Sequence, residues 1–369
     1  MKYYIIAGEA SGDLHGSNLI KQLHHLDQNA IINCWGGNLM QQAGSKLIKH
    51  YKDLAFMGFV EVIKNLPIII KNIKFCKQDI LLFKPDALIL VDYPGFNLRI
   101  ADWAKQQGFK VFYYISPQVW AWKSGRVKKM KQCIDEMICI LPFEKEYYQT
   151  KWNWNVHYVG HPLTEAIENF KAKNNIKQTD SAKVIALLPG SRKQEIIKKL
   201  PIMLQVAKHF KEQQFSVAKA PGLEDEFYHQ FLPVANNVTF IRNDTYNLLL
   251  QSKAALVTSG TATLETALFH VPEVVCYKGS NISYQIAKRV IKIKYISLVN
   301  LIMNKLVVKE LIQNQLTVTN LVTELKELLY NKNKIQQLQE DYNALHKLLS
   351  TKEIPSYKAA KIITESISS

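Results

Sequence analysis

Short apolar runs alternate with amphipathic stretches along most of the chain, and these two periods predict its elements. KYYIIA at 2–7 reads as a strand, followed by a glycine-bearing turn and a helix from about Asp13 to Leu26. Further strands are expected at 30–35, 86–92, 110–115, 136–140 and 156–159. DALILVD at 86–92 is nearly continuous in apolar residues, as a parallel strand covered on both faces requires. Residues 168–182 (ENFKAKNNIKQTDSA) are polar and lack a period, which marks a linker or a surface crossover. A second series follows, with strands at 183–188, 215–219, 237–241, 254–258 and 273–277. From about Thr319 to Leu349 the apolar positions return to helical spacing and predict two closing helices, with a short final helix after Pro355. The pattern predicts an α/β protein of two Rossmann-like, doubly wound domains.

Several strand ends carry candidate chemistry. Gly8-Glu9-Ala10-Ser11-Gly12-Asp13 follows the first strand, where glycines let a ligand approach a helix N-terminus. Glu9 and Asp13 would repel a pyrophosphate, which favours recognition of sugar hydroxyls; an ordinary strand–helix turn with Asp13 as its cap is the competing reading. Asp92, ending an apolar strand and walled by Tyr93 and Phe96, is a candidate general base, with a turn-capping aspartate as the alternative. The aromatic run from Tyr113 to Trp122 suits either a carbohydrate platform or a core. In the second half, Gly190-Ser191-Arg192 offers backbone N–H groups and a forked cation to a diphosphate. Gly260-Thr261-Ala262-Thr263 opens a helix as a second anion site, with Glu265 one turn on, placed to accept hydrogen bonds from ribose hydroxyls.

Composition narrows the class further. With 47% hydrophobic and 21% charged residues among 369, the chain is globular, and no run approaches the ~18 apolar residues of a membrane span. The opening MKYYIIAGEASGD does not read as a secretory signal. Five scattered cysteines without a CxxC pair, and histidines without HExxH spacing, predict reduced thiols and no structural metal. The net charge of +16 suits nucleic acid, an anionic membrane or a phosphorylated substrate, but it also fits a lysine-loaded surface. Only five of the 47 basic residues are arginine, so each is a candidate for work that needs its planar fork.

Taken together, GEASGD at 8–13, WGG at 35–37, MGFVEV at 57–62, DYPGFN at 92–97, YYISPQVWAW at 113–122, LPFE at 141–144, VGHPL at 159–163, LLPGSRKQEI at 187–196, SGTATLE at 259–265, YK at 277–278 and SLVNLI at 297–302 resemble the lipid-A-disaccharide synthases. That family comprises glycosyltransferases of the GT-B type, family 19. The resemblance spans nearly the whole chain. It implies an inverting transfer of 2,3-diacylglucosamine from UDP to the 6-hydroxyl of 2,3-diacylglucosamine 1-phosphate, giving UDP and a β-1,6 disaccharide 1-phosphate without metal or other cofactor. It also implies a GT-B architecture with the two domains facing across a cleft. The expected domains are residues 1–167, completed by the helix at about 350–369, and 168–349 as the UDP-sugar domain.

Site expectations follow from the same resemblance. Asp92 is the expected base; Gly190, Ser191, Arg192, Gly260, Thr261, Ala262, Thr263 and Glu265 hold the nucleotide; Glu9, Ser11, Asp13 and Asn97 surround acceptor or donor sugar. His161 reads as structural as readily as catalytic. Val299 replaces a proline usual in the family, and Asn304-Lys305 stand where an acidic–arginine or glycine–arginine pair is common. Phe59, Ile63, Leu66, Ile69 and Ile70 fall at helical spacing beside lysines and are candidates for membrane docking and acyl-chain entry. The expected setting is the cytoplasmic face of an inner membrane, with homo-oligomerisation open. The competing readings are another GT-B enzyme with a soluble substrate, a UDP-N-acetylglucosamine 2-epimerase, or a basic nucleic-acid-binding protein.

Overall fold

The computed structural model describes residues 1–53, 66–174, 184–232, 235–280, 284–285 and 293–368. Contacts divide the chain into one unit of Met1–Glu165 with Leu349–Ser369 and a second of Ala166–Leu348.

The first unit is built on strands β1 (Lys2–Ala7), β2 (Ile31–Gly36), β3 (Lys46–His50), β4 (Ala87–Val91), β5 (Val111–Tyr114), β6 (Glu136–Cys139) and β7 (His157–Tyr158). They form one sheet in the order β3-β2-β1-β4-β5-β6-β7, with every pairing parallel. Between-strand connections of this kind need crossovers, and helices supply them on both faces. Apart from the exposed Lys2, β1, β4 and β5 are therefore enclosed: Tyr3 to Ala7, Ala87 to Val91 and Val111 to Tyr114 all have zero exposure. Lys46–His50 was not apparent from the apolar pattern, because this edge strand is only half-buried and carries lysine at two of its five positions.

The helix after β1 runs Ala10–Leu26 with Glu9 at its N-cap, so it starts three residues earlier than its sequence suggests. Asp13 consequently lies in its first turn, and its carboxylate accepts hydrogen bonds from the N–H groups of Gly37, Leu39 and Met40 at 2.8–3.2 Å. It caps the next helix, Asn38–Gln42, rather than its own.

The second unit repeats the design with β8 (Val184–Leu188), β9 (Gln214–Lys219), β10 (Val238–Arg242), β11 (Ser252–Thr258), β12 (Glu273–Tyr277) and β13 (Lys309–Ile312). The order is β10-β9-β8-β11-β12-β13, again all parallel. The closing helices are Val318–Tyr330 and Lys332–Leu349; Leu321, Leu325, Leu328, Leu338, Tyr342 and Leu345 are buried along them as their spacing requires. All five cysteines are buried and free. No helix among the described residues is long and apolar enough to cross a membrane.

The final helix, Pro355–Ser368, docks on the first unit. The buried Glu165 carboxylate accepts from the Ser356 hydroxyl at 2.6 Å and from its N–H at 3.2 Å, and Lys358 Nζ donates to the Tyr158 carbonyl at 2.9 Å. Glu165→Ala would leave two buried donors unpaired, which costs about 1–3 kcal/mol each at most. The expected result is a lower denaturation midpoint, with amide exchange accelerating first in Pro355–Ser368; unchanged protection there would show that the helix is held by other contacts.

Candidate active site

Each sheet reverses its strand order once, between β1 and β4 in the first unit and between β8 and β11 in the second. Crossovers leave such a point in opposite directions, so the carboxyl ends of the two strands open a crevice where α/β proteins bind ligands. The candidate motifs occupy these positions: Gly8–Asp13 follows β1, Asp92–Asn97 follows β4, Gly190–Arg192 follows β8, and Ser259–Thr263 follows β11.

In the first unit the turn after β4 is strained. Asp92 and Tyr93 are consecutive non-glycine residues at φ +46° and +49°, in the left-handed region. Each costs on the order of 1–3 kcal/mol unless its surroundings impose it. Here they do. Asn97 Nδ2 donates to the carbonyls of Ile6, Val91 and Asp92 at 3.3, 3.2 and 2.8 Å. The Tyr113 hydroxyl donates to the Asp92 carbonyl at 2.5 Å, and the Asp92 N–H donates to the Tyr114 carbonyl at 3.0 Å. Pro94 then starts the following helix, Pro94–Gln106.

The turn sets the Asp92 carboxylate beside Glu9, with Tyr93 laid over Gly8. A Cβ on Gly8 would come within 2.3 Å of that ring, so only glycine fits. A small concavity between the two turns is lined by Gly8, Glu9, Ser11, Gly12, Asp92 and Tyr93. Burial, and then the Glu9 charge, push the Asp92 carboxyl up to about 7. Elsewhere in the same unit, buried Glu144 accepts from the Leu141 N–H and from Trp120 Nε1, both at 3.1 Å, and burial pushes it up to about 8.

The sugar-binding expectations separate in this geometry. Glu9, Ser11 and Asp92 share the concavity. Asn97 has zero exposure and its amide is committed to the turn, so it shapes the site from beneath instead of meeting a sugar. Asp13 is likewise committed to backbone N–H groups. His161 is buried, accepts from the Leu163 N–H through Nδ1, and is driven down to about 3 by burial and by His15. It stays neutral and has a structural place. Tyr113 is a support of this turn that the sequence does not single out, since it stands 21 residues from Asp92 and reads as core.

In the second unit Gly190 adopts φ +122°, and a Cβ there would lie 2.5 Å from Glu195 Oε2. The next two residues are exposed, with Arg192 Nη1 3.5 Å from Glu195 Oε1 at the start of the helix Lys193–Ala207. Gly260, at φ +137°, precedes the helix Thr261–Leu268, whose first residues Thr261 and Ala262 are accessible. Thr263 is buried, and its hydroxyl donates to the Gly260 carbonyl at 2.8 Å, fixing the turn. Glu265 accepts from the Tyr246 hydroxyl at 3.3 Å, and burial pushes its carboxyl up to about 7.

Beyond these, Glu310 accepts from the N–H groups of Ile296 and Ser297 and from Asn300 Nδ2, which fixes the 296–300 loop. Val299 is buried in the helix Leu298–Met303; Asn304 takes the left-handed position that ends it, and Lys305 pairs with Asp341.

On the helix Leu66–Phe83, Asn72, Cys76 and Ile80 are buried and Ile73 packs on the core. Leu66, Ile68 and Ile70 are 45–57% exposed, while Ile69 is half-buried. The expected single apolar face therefore splits, with its N-terminal part open to solvent. Phe59 and Ile63 lie outside the described residues. Lys49, Lys71 and Lys74 line an open concavity beside Phe75.

A sequence profile described as lipid-A-disaccharide synthetase matches residues 3–366. This chain belongs to the lipid-A-disaccharide synthase family. Lipid-A-disaccharide synthases from Geobacter metallireducens and Coxiella burnetii are each 38% identical to it, over 87% and 90% of this chain and 86% and 90% of theirs. The fold is also that of a Neisseria meningitidis UDP-GlcNAc 2-epimerase bound to UDP-GlcNAc (15% identity, TM-score 0.65, 100% of this chain and 99% of that one). A UDP complex of a ugt transferase from Siraitia grosvenorii is similar as well (9% identity, TM-score 0.61, 100% of both chains). These neighbours establish the GT-B fold. Family membership replaces the epimerase and nucleic-acid readings.

Titration of the Asp92 carboxyl by carbon NMR should give a midpoint near 7, as its surroundings dictate. Glu9→Gln removes a neighbouring negative charge and should move that midpoint down. A midpoint that stays in place would take Glu9 out of the Asp92 environment.

Proposed function

We propose that this chain performs its family's reaction with Asp92 as general base. The reaction is an inverting transfer of 2,3-diacylglucosamine from UDP to 2,3-diacylglucosamine 1-phosphate, giving a β-1,6-linked disaccharide 1-phosphate and UDP. The observation that carries the role of Asp92 is its strained turn beside Glu9 at the strand-order reversal. A carboxyl pushed up to about 7 is a stronger base than an ordinary aspartate and is still largely ionised slightly above neutrality.

In the proposed step Asp92 takes the proton of the acceptor 6-hydroxyl as that oxygen attacks the anomeric carbon. The bond from that carbon to the diphosphate breaks, and its electron pair leaves with UDP. The accumulating charge is met by Arg192 and by the N–H groups opening the helix Thr261–Leu268. Ser191, Thr261 and Ala262 border the same turns, and Glu265 accepts from the ribose hydroxyls. Asn97 and Tyr113 act through Asp92 by holding its turn.

Asp92→Asn should keep UDP affinity and lose about 10²–10⁴-fold in turnover. A carboxyl whose folded pKa lies above its unfolded value loses stability as pH rises between the two. The same variant should therefore melt higher than the parent at pH 8, with the advantage shrinking toward pH 4. Near-parental turnover, or no pH-dependent gain in melting temperature, would remove Asp92 from this role.

The substrates are diacylated, so the enzyme must meet a membrane. The exposed Leu66, Ile68 and Ile70 beside Lys71 and Lys74 suit insertion at an anionic leaflet, and we assign this face to peripheral docking at the cytoplasmic side. Replacing Leu66 and Ile70 together by Ser should weaken binding to anionic liposomes and activity on diacylated substrates, with the melting temperature nearly unchanged. A large loss of stability with liposome binding intact would return these side chains to the core.

A further inference from the structure

Lys199 breaks the pattern of its own helix. On Lys193–Ala207 the buried face carries Ile196, Leu200, Met203 and Ala207, and Lys199 stands in their midst with a side-chain exposure of 3%. A lysine at such a position is costly to desolvate, and an apolar residue would serve the packing as well or better. What it touches explains its presence. Its Nζ donates to the hydroxyl of Thr258, the last residue of β11, just before the Ser259–Thr263 turn. The same Nζ lies 3.7 Å from Glu195 Oε2 and 3.5 Å from where a Cβ on Gly190 would stand. The ammonium thus sits at the strand-order reversal, beneath both turns assigned to the diphosphate.

Glu195 is the reason a buried cation is needed there. Its carboxylate lies against Gly190 and 3.5 Å from Arg192 Nη1, so alone it would compete with a diphosphate for that guanidinium and repel the ligand. Lys199 gives Glu195 an internal partner and leaves the trio Arg192, Glu195 and Lys199 with a net positive charge. Arg192 is 57% exposed and keeps donors for a ligand, while Glu195 fixes its orientation from one side.

We propose that Lys199 is a positioning residue of the nucleotide site, tying the two turns together and neutralising Glu195 so that Arg192 serves the diphosphate. This inference rests on the assignment of Arg192 and the Thr261 helix start to the diphosphate.

Calorimetric titration with UDP and with uridine tests it. Lys199→Met should lose about tenfold to a hundredfold in UDP affinity, the scale of one lost charge-assisted hydrogen bond. Uridine affinity should be unchanged, because uridine carries no phosphate. In Lys199→Met with Glu195→Gln, UDP affinity should return to within about threefold of the parent, since the charge requiring neutralisation is gone. Equal losses for UDP and uridine, or no recovery in the double variant, would show a merely structural lysine. Arg192→Gln separates two failures. Weakened UDP binding there, with parental binding in Lys199→Met, overturns this inference alone. Parental binding in both overturns the diphosphate assignment and this inference with it.

Discussion

A parallel strand can be followed only by a crossover, and in each sheet of this protein the crossovers change direction once, between the first and fourth strands. At that reversal the turns that follow the two strands meet at the carboxyl ends of the sheet. Everything chemical in the molecule depends on this constraint. The turn after β1 could not adjoin the turn after β4 without the β1–β4 pairing from Tyr3↔Ala87 to Ala7↔Val91. Nor could Gly190 and Thr258 reach one ammonium without the β8–β11 pairing.

The interior strands were legible because burial on both faces demands unbroken apolar runs, as in Ala87–Val91. The edge strands Lys46–His50 and Lys309–Ile312 were not, since a half-exposed edge carries lysine and glutamate and is specified by its neighbour's hydrogen bonds. The same division holds for the site. Gly190, Arg192 and Asp92 announce themselves by standing next to strand ends. Residues that act across sequence do not: Asn97 reads as one more motif residue until its amide is seen on three carbonyls, and Tyr113 reads as core. Asp13 shows the commonest error, in which a residue at the right place to cap its own helix caps its neighbour. Lys199 did leave a trace, a lone charge on an otherwise apolar helix face, which amphipathic periodicity alone can reveal.

The two reversals share a geometry and differ in charge. In the first unit burial and the Glu9 charge make the Asp92 carboxyl harder to ionise, and burial does the same to Glu144. Such a crevice holds protons well and is poor at holding anions. In the second unit Arg192 and Lys199 flank one carboxylate, Glu195, at 3.5 and 3.7 Å. That crevice favours an anion.

Transfer from a nucleotide-activated sugar needs both properties, since the nucleophile must lose a proton while the leaving group accumulates charge. Cations strong enough to steady a departing diphosphate would also lower the pKa of a nearby aspartate and weaken it as a base. In this chain the two proposed tasks fall to residues on different sheets, Asp92 after β4 and Arg192 after β8. Burial and the Glu9 charge push Asp92 up to about 7, and Arg192 brings a planar fork of donors to its own turn. Under the proposed roles, each strand-order reversal gives its residues a different local field, one around Asp92 and Glu9 and one around Arg192 and Lys199.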